Sequence, residues 1–151
     1  GQASREASAI VPPVSQEPAL QLPHAADSGF DGLYGLVLDE LDLDAGEVRA
    51  HVRIEDHHLQ PAGLVHGGVL ASIAESITSV ATWIAVSAEG RTAQGLSNQT
   101  SFLRPLLGGT IHARALVRHR GRTTWVWEVE ITDDESRLCA LVRMTVAVRA
   151  G

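Results

Sequence analysis

The sequence contains no lysine. All twelve of its basic residues are arginine, and eighteen acidic residues bring the formal net charge to −6. A chain with this charge is not expected to bind nucleic acids or anionic membranes in general, because both require a positive surface. Two explanations of the arginine bias stay open. It reflects coding bias in a GC-rich genome, or some guanidinium groups make bidentate hydrogen bonds to phosphates.

Cysteine is nearly absent as well. Cys139 is the only one, so a disulfide framework and a thiolate metal site are both excluded. The seven histidines follow no metal-ligand spacing, and we expect the adjacent His57 and His58 to be solvated. The sequence therefore predicts no metal site.

Long apolar runs and a leader pattern are not evident either. No apolar run approaches the length of a membrane span, and the first residues lack a basic-then-apolar signal, so the expected location is cytoplasmic. Residues 1 to about 28 hold four of the six prolines and show no sustained period. They predict a flexible N-terminal arm, followed by one compact domain over residues 29–151.

The longest regular pattern predicts a helix over residues 67–87. Its apolar residues recur at steps of three and four and form one stripe, made of Val69, Ile73, Ile77, Val80 and Ile84. Glu75 projects about 200° round the axis from Ile73 and lies on a second face. That face is small and weakly polar, with Ala71, Ser72, Thr78 and Ser79 as neighbours of the carboxylate. It suits close approach of another chain or a ligand.

Six further segments read as strands: residues 33–43, 47–55, 92–104, 110–119, 123–133 and 137–149. The short connections at residues 108–109, 121 and 133–136 predict antiparallel neighbours. Trp125 and Trp127 alternate with Val129, which favours the core over an aromatic substrate box. The order β-β-α-β-β-β-β predicts an α+β fold, in which one long helix packs on one face of a curved antiparallel sheet.

The stretch from Gln60 to Gly68, QPAGLVHGG, leads into the predicted helix. Backbone N–H groups at a helix start can hold a developing oxyanion, and a carboxylate inside the helix can act as nucleophile or general base. Gly67 and Glu75 are about 12 Å apart along a straight helix, whereas a reacting carbonyl must lie about 3 Å from both groups. We therefore expect an acyl-transfer site shared between two subunits.

These residues are similar to a known family. Together they resemble the 4-hydroxybenzoyl-CoA thioesterases of the hotdog fold, in the type whose catalytic glutamate lies inside the helix. The matching positions are Gln60, Leu64-Val65-His66-Gly67-Gly68, Ala74-Glu75, Ser97-Asn98, Thr100-Ser101-Phe102, Arg104-Pro105, Thr123-Thr124-Trp125 and Ala147-Val148-Arg149. His-Gly-Gly alone is common among hotdog acyl-CoA proteins. The added spacing of Gln60 and Glu75 around it makes the resemblance specific.

The resemblance implies a catalytic role for five residues. Glu75 would attack the thioester carbonyl to form an acyl-enzyme anhydride, or would activate water. The Gly67 N–H would polarise the carbonyl, and Gln60 would assist it and help to place water. Ser79 would orient the carboxylate or the water, at a position where the family often has threonine. His66 would hold the turn by hydrogen bonding, with no role as a base.

The resemblance also implies how the substrate is held. Asp31 would accept a hydrogen bond from a ring hydroxyl and so favour hydroxyaryl groups; the alternative is a solvated turn aspartate. Gly68 would lie against the substrate. The candidates for the CoA phosphates are Arg104, Arg122, Thr123, Thr124 and Arg149. Arg122 replaces a small hydroxyl residue of the family's pattern.

The implied function is hydrolysis of an aromatic acyl-CoA thioester, most directly 4-hydroxybenzoyl-CoA, in a homodimer that shares its sites and pairs into a homotetramer. Coenzyme A would be part of the substrate, and no separate cofactor is expected. Two alternatives stay open. One is a thioesterase for phenylacetyl-type or medium-chain acyl-CoA, and the other is a non-catalytic acyl-CoA-binding protein on the same fold.

Overall fold

The computed structural model describes residues 28–151, and the predicted arm lies outside them apart from Ser28. The elements in chain order are helix α1 (Gly29–Tyr34), strands β1 (Val37–Asp42) and β2 (Glu47–Arg53), a 3-10 turn (Asp56–His58), helix α2 (Gly67–Ser87), and strands β3 (Arg91–Phe102), β4 (Thr110–Arg120), β5 (Thr124–Thr132) and β6 (Leu138–Ala150). The predicted long helix and the six strands are confirmed. Helix α1 was not predicted.

Helix α1 corrects the predicted first strand, which was placed over residues 33–43. Gly35 ends this helix with φ at +77°, and its N–H bonds to the carbonyl of Gly32 at 3.3 Å. A glycine in the left-handed region is a common helix stop, because it carries no Cβ. The first strand consequently begins only at Val37, and Asp31 lies on a helix rather than in a turn.

The six strands form one antiparallel sheet in the order β1-β2-β4-β5-β6-β3. The predicted pairing of β3 with β4 is wrong, because β3 pairs with β6 at one edge of the sheet. The connection over residues 103–109 passes two strands to reach β4. Seven extended residues span about 23 Å, which is enough for three strand spacings of about 4.8 Å. Buried Leu106 anchors this connection by accepting a hydrogen bond from the Val65 N–H at 2.8 Å.

Helix α2 packs on one face of the sheet, and the core lies between them. Its predicted stripe is confirmed at Ile73, Ile77 and Ile84, which are buried. Both Trp125 and Trp127 are buried, as predicted. Leu138, the first residue of β6, is 39% exposed, although the alternation along this strand predicts that it faces inward. The pairing of β5 with β6 shifts register near that end, and Cys139 is buried beside it.

By length and composition alone, α2 is long and apolar enough to cross a membrane. This corrects the expectation that no apolar run approaches the length of a membrane span. Its mean hydropathy is 1.6 over a stretch of 18 residues, and half of that stretch is buried inside the protein. It is the one such helix within residues 28–151. A helix in the core of a folded domain has the same composition, so this feature is weak evidence for a membrane span. The cytoplasmic location stays a prediction.

Thr82 and Trp127 join α2 to the sheet through a buried hydrogen bond. The indole Nε1 of Trp127 donates to the Thr82 hydroxyl at 2.9 Å. Replacing Thr82 with valine keeps the shape but leaves the indole N–H unpaired, so we expect the free energy of unfolding to fall by about 1–3 kcal/mol. Chemical denaturation measures this loss. The control is Thr78→Val, because the Thr78 hydroxyl is equally buried but donates only to helix carbonyls. Equal losses in both variants would contradict the assignment.

Candidate active site

The start of α2 leaves one backbone donor without a partner. His66 precedes the helix, and its ring Nδ1 accepts a hydrogen bond from the Gly68 N–H at 2.8 Å. The Val69 N–H bonds to the His66 carbonyl at 3.0 Å. Among the described residues, the Gly67 N–H meets no acceptor. This free donor lies at the positive end of a 21-residue helix and suits a polarised or anionic oxygen.

A buried histidine holds the turn in front of the helix. His58 accepts a hydrogen bond from the Glu55 N–H at 2.9 Å through Nδ1, and its Nε2 donates to the Tyr34 carbonyl at 2.7 Å. Its own carbonyl accepts from the His66 N–H at 2.8 Å. The prediction that both His57 and His58 are solvated is therefore wrong for His58. Its ring is buried because it satisfies two backbone groups that would otherwise lack partners.

Gln60 lies in a tight loop that determines which way its side-chain amide points. Its N–H bonds to the Leu64 carbonyl at 2.8 Å, and its carbonyl accepts from the Gly63 N–H at 2.9 Å. The side-chain Oε1 accepts from the Ala62 N–H at 2.6 Å. Since a backbone N–H can only donate, the amide oxygen must face it, and the NH₂ group remains available as a donor. Gln60 can therefore donate a hydrogen bond to a carbonyl oxygen.

Phe102, the last residue of β3, covers Gly67. A Cβ atom added at Gly67 would lie 2.7 Å from Cε1 of the Phe102 ring, which is closer than real Cβ contacts. The position therefore requires glycine while the ring stays in place. The ring is itself 60% exposed in the single chain. An aromatic side chain with one face towards solvent thus closes one side of the helix start.

The side chains of Glu75 and Ser79 both face Gly95 of β3, which has no side chain of its own. A Cβ added at Gly95 would lie 3.2 Å from Oε1 of Glu75 and 3.4 Å from Oγ of Ser79. The Ser79 hydroxyl is buried and has no hydrogen-bond partner within residues 28–151, which is rare for a buried polar atom. The Glu75 side chain is exposed in the single chain. A free hydroxyl beside a carboxylate is able to orient that carboxylate or a water molecule bound to it.

Asn98 ties β3 to α2 one turn before Glu75. Its Nδ2 donates to the Ala71 carbonyl at 2.9 Å, and its Oδ1 accepts from the Thr100 hydroxyl at 2.6 Å. Ala71 lies four residues before Glu75, on the same side of the helix. This contact holds the helix turn that carries the carboxylate against the edge strand.

Asp31 bonds to two side chains of its own chain. Its Oδ1 accepts from the Ser76 hydroxyl at 2.6 Å and from the Tyr34 hydroxyl at 2.9 Å. Burial is the largest cause that raises the pKa of Tyr34 above its ordinary value, and the charges of Asp31 and Glu75 add to it. Neither Tyr34 nor Ser76 was predicted. Asp31 and Tyr34 are three residues apart, a spacing that brings two side chains together on a helix. The sequence did not reveal this contact because helix α1 was not predicted.

Four of the five candidates for phosphate binding lie together at one end of the sheet. Arg149 Nη1 donates to the Thr123 carbonyl at 3.2 Å, and Thr124 opens the adjacent strand. Arg91, which was not predicted, joins this group because its guanidinium donates to the Arg122 carbonyl. No salt bridge involves Arg91, Arg122 or Arg149 in the described part of the chain. Their charges are available to an anion.

Arg104 lies at the opposite end of the sheet. Its N–H bonds to the Cys139 carbonyl at 3.1 Å. Cys139 and Arg149 are ten residues apart on β6, or about 33 Å at 3.3 Å per residue. One chain therefore does not bring Arg104 to the other four candidates.

The candidate site offers a carboxylate from Glu75, a free hydroxyl from Ser79, and two hydrogen-bond donors from Gly67 and Gln60. Within residues 28–151, no cluster of three or more histidine, cysteine, aspartate or glutamate side chains is arranged to hold a metal ion. A carboxylate and donors aimed at oxygen are the groups that acyl transfer at a carbonyl uses.

Comparison with known proteins points to the same chemistry. The sequence model of a family described as Thioesterase superfamily matches residues 62–140, just over half of the chain. A Mycobacterium tuberculosis protein named "Putative esterase Rv1847" is 39% identical over 113 residues, which are 74% of this chain and 79% of that protein. The proofreading thioesterase EntH of Klebsiella pneumoniae is 32% identical over 106 residues, 70% and 77% of the two chains.

A solved structure is similar over most of its length. The crystal structure of thioesterase HI1161 from Haemophilus influenzae aligns with a TM-score of 0.77 and 30% sequence identity. The alignment covers 83% of this chain and 85% of that one.

Proposed function

This chain belongs to the thioesterase superfamily, and from that membership we propose that it hydrolyses hydroxyaryl-CoA thioesters such as 4-hydroxybenzoyl-CoA. The hotdog fold predicted from the sequence is confirmed, and the protein is a thioester hydrolase with acyl-CoA substrates. What we propose beyond this is the role of each residue, the acyl group and the assembly.

One observation supports the proposed chemistry most strongly: the Glu75 carboxylate and the buried hydroxyl of Ser79 both face Gly95 of β3, and that hydroxyl has no hydrogen-bond partner within residues 28–151. An orphaned buried hydroxyl lowers stability unless another group completes its hydrogen bonds. A bound substrate or water molecule would supply that partner. Glu75 would attack the thioester carbonyl to form an anhydride, or would take a proton from an attacking water. In both routes the C–S bond breaks and CoA leaves as the thiolate.

The donors at the start of α2 would stabilise the negative charge that forms on the carbonyl oxygen. The Gly67 N–H has no partner among the described residues, and Gln60 presents its NH₂ group. Removing one such donor in other enzymes costs about 10²–10³ in turnover. His66 holds the turn through its bond to Gly68 and is assigned no proton transfer.

The geometry supports a site shared by two subunits. Helix α2 runs without a break from Gly67 past Glu75, so the two groups are about 12 Å apart along it. Among the described residues, strand β3, which carries Gly95 beside the carboxylate, pairs only with β6, and its outer edge has no strand partner. Leu96 on this strand is 61% exposed. A second copy that pairs along β3 would place its own helix start near Glu75, in a symmetric dimer.

We further propose that dimers pair into a tetramer and that Arg122, Thr123, Thr124 and Arg149 bind the CoA phosphates. The four residues lie together, and within residues 28–151 the guanidinium groups of Arg122 and Arg149 form no salt bridge, which supports this role. Arg104 would reach the same CoA only from another subunit, because it lies about 33 Å away within one chain.

The hydroxyl preference depends on Asp31. Its carboxylate lies beside the residue that follows Glu75, at a suitable place to accept a hydrogen bond from a ring hydroxyl. A second candidate function is a phenylacetyl-type thioesterase. It is favoured by the two hydrogen bonds that Asp31 already accepts within the chain, since these satisfy part of the carboxylate without any substrate.

A panel assay separates these candidates. Thiol release is measured with 4-hydroxybenzoyl-, benzoyl-, phenylacetyl- and hexanoyl-CoA. We expect 4-hydroxybenzoyl-CoA to give the highest kcat/KM, and Asp31→Ala to lower that value by about 10–100-fold, because a hydrogen bond to a charged group is lost. The value for benzoyl-CoA should change far less. The second candidate would be favoured if phenylacetyl-CoA gave the highest kcat/KM and Asp31→Ala left the value for 4-hydroxybenzoyl-CoA unchanged.

A further inference from the structure

Asp31, Tyr34 and Ser76 form a cluster that joins α1 to α2 next to Glu75. Ser76 donates to Oδ1 of Asp31 at 2.6 Å, and the Tyr34 hydroxyl lies 2.9 Å from the same oxygen. Tyr34 Oη is also 3.2 Å from Ser76 Oγ. Oδ2 of Asp31 accepts no hydrogen bond from the described residues. The carboxylate is therefore held through one oxygen, and its second oxygen is free.

Each hydroxyl of this cluster has one proton to donate, which determines how its hydrogen bonds are arranged. Ser76 gives its single proton to Asp31, so its lone pairs are free to accept from Tyr34. The Tyr34 proton consequently has two acceptors, the Asp31 carboxylate and the Ser76 hydroxyl. A further donor can therefore bind Oδ2 of Asp31 while the Tyr34 hydroxyl keeps an acceptor, either Oδ1 of Asp31 or Oγ of Ser76. No buried group then loses its partner, which keeps the cost of binding low.

We propose that Ser76 is the positioning residue that sets the preference for hydroxylated acyl groups, by holding Oδ2 of Asp31 towards the ring hydroxyl and by offering the Tyr34 hydroxyl a second hydrogen-bond acceptor when that ring hydroxyl binds. This role rests on the proposed thioesterase function. Ser76 does not touch the reacting carbonyl in this scheme. It acts through Asp31, one residue along the helix from the carboxylate that performs the chemistry.

The position of the cluster fits this role. Ser76 follows Glu75 directly on α2 and donates to Asp31 at 2.6 Å, so the cluster lies beside the residue that carries the carboxylate. An aromatic acyl group with its carbonyl at Glu75 would reach the cluster with its far end. The hydroxyl of a 4-hydroxybenzoyl group lies at that end. Alkyl groups and unsubstituted rings carry no donor there and leave Oδ2 unpaired.

The test compares the ratio of kcat/KM for 4-hydroxybenzoyl-CoA to that for benzoyl-CoA. We expect Ser76→Ala to lower this ratio about three- to tenfold, mainly through a higher KM for the hydroxylated substrate, and Ser76→Thr to restore most of it because the hydroxyl returns. In an Asp31→Ala background, Ser76→Ala should change the ratio no further. Ser87→Ala is the matched control. Its hydroxyl on the same helix donates only to the Ile84 carbonyl.

A merely structural role for Ser76 predicts a different result. Loss of helix docking alone would lower kcat/KM for both substrates by the same factor, and the added effect would persist in the Asp31→Ala background. Either outcome overturns the proposal. The thioesterase function itself fails separately, if the wild-type protein releases no thiol from any of the panel substrates.

Discussion

Replacing Glu75 with alanine is expected to reduce kcat by about 10²–10⁴-fold, because the group that attacks the carbonyl or activates water is removed. Binding of the CoA ester should stay nearly intact. The Glu75 side chain makes no hydrogen bond within residues 28–151, and its carboxylate is exposed in the single chain, so its loss should not unfold the helix. Steady-state thiol release measures kcat, and calorimetry with a thioether analogue of the substrate measures binding.

The control for this substitution is Glu89→Ala. Glu89 is also exposed and lies just beyond the end of α2, away from β3 at Gly95. Its removal changes the net charge by the same amount as the loss of Glu75 does. Turnover at the wild-type rate in Glu75→Ala would refute the assignment of the catalytic carboxylate.

The second large effect is expected for Gln60→Ala. Its NH₂ group would polarise the thioester carbonyl and help to place water, so its removal should lower kcat by about 10²-fold and change KM much less. The loop should keep its shape, because the backbone hydrogen bonds of Gln60 to Gly63 and Leu64 do not involve the side chain. An effect confined to KM would be inconsistent with this role.

A matched control for Gln60→Ala is Gln99→Ala. Gln99 lies on β3, and its Oε1 accepts a hydrogen bond from Arg143 of β6 at 2.8 Å, so its amide is directed to the neighbouring strand and is assigned no role in catalysis. The same amide is deleted in both variants. A fall in kcat of equal size in the two enzymes would indicate a general effect on the sheet.

Mixing the two inactive variants tests whether the site is shared. If Glu75 of one chain works with Gln60 of its partner, a mixed dimer of Glu75→Ala and Gln60→Ala chains contains one intact site. With random pairing after co-refolding, about a quarter of the wild-type activity should return, because half of the dimers are mixed and each has one of two sites. If each site lies within one chain, no activity returns.

Much of the fold was predictable because it depends on local periodicity. The stripe of Ile73, Ile77 and Ile84 repeats with the period of a helix, and the alternation from Trp125 to Ile131 has the period of a strand. Helix α1 was missed because six residues are too few to show a period, and its glycine stop reads equally well as a break in a strand. The predicted position of β3 in the sheet was wrong. The length of a connection limits which strands can be neighbours, but several strand orders stay within that limit.

The candidate site was likewise predictable only in part. The spacing of Gln60, His66 and Glu75 could be read from the sequence, because the residues follow one another along a loop and one helix. Ser76 and Tyr34 could not be linked, since they are 42 residues apart and meet only when α1 packs on α2. Arg91 was missed for a similar reason. It joins Arg122 through a backbone carbonyl that no sequence pattern marks.

The sequence by itself determined the class of the fold, the long helix and the family, because these depend on periodicity and on residues at fixed spacing. For residues 28–151, the tertiary structure alone decided that β3 is an open edge strand, that Ser79 has a buried hydroxyl without a partner, and that Asp31 is held through one oxygen. Each of these depends on contacts between segments distant in the chain. Packing decides such contacts, and the same local pattern is compatible with several packings.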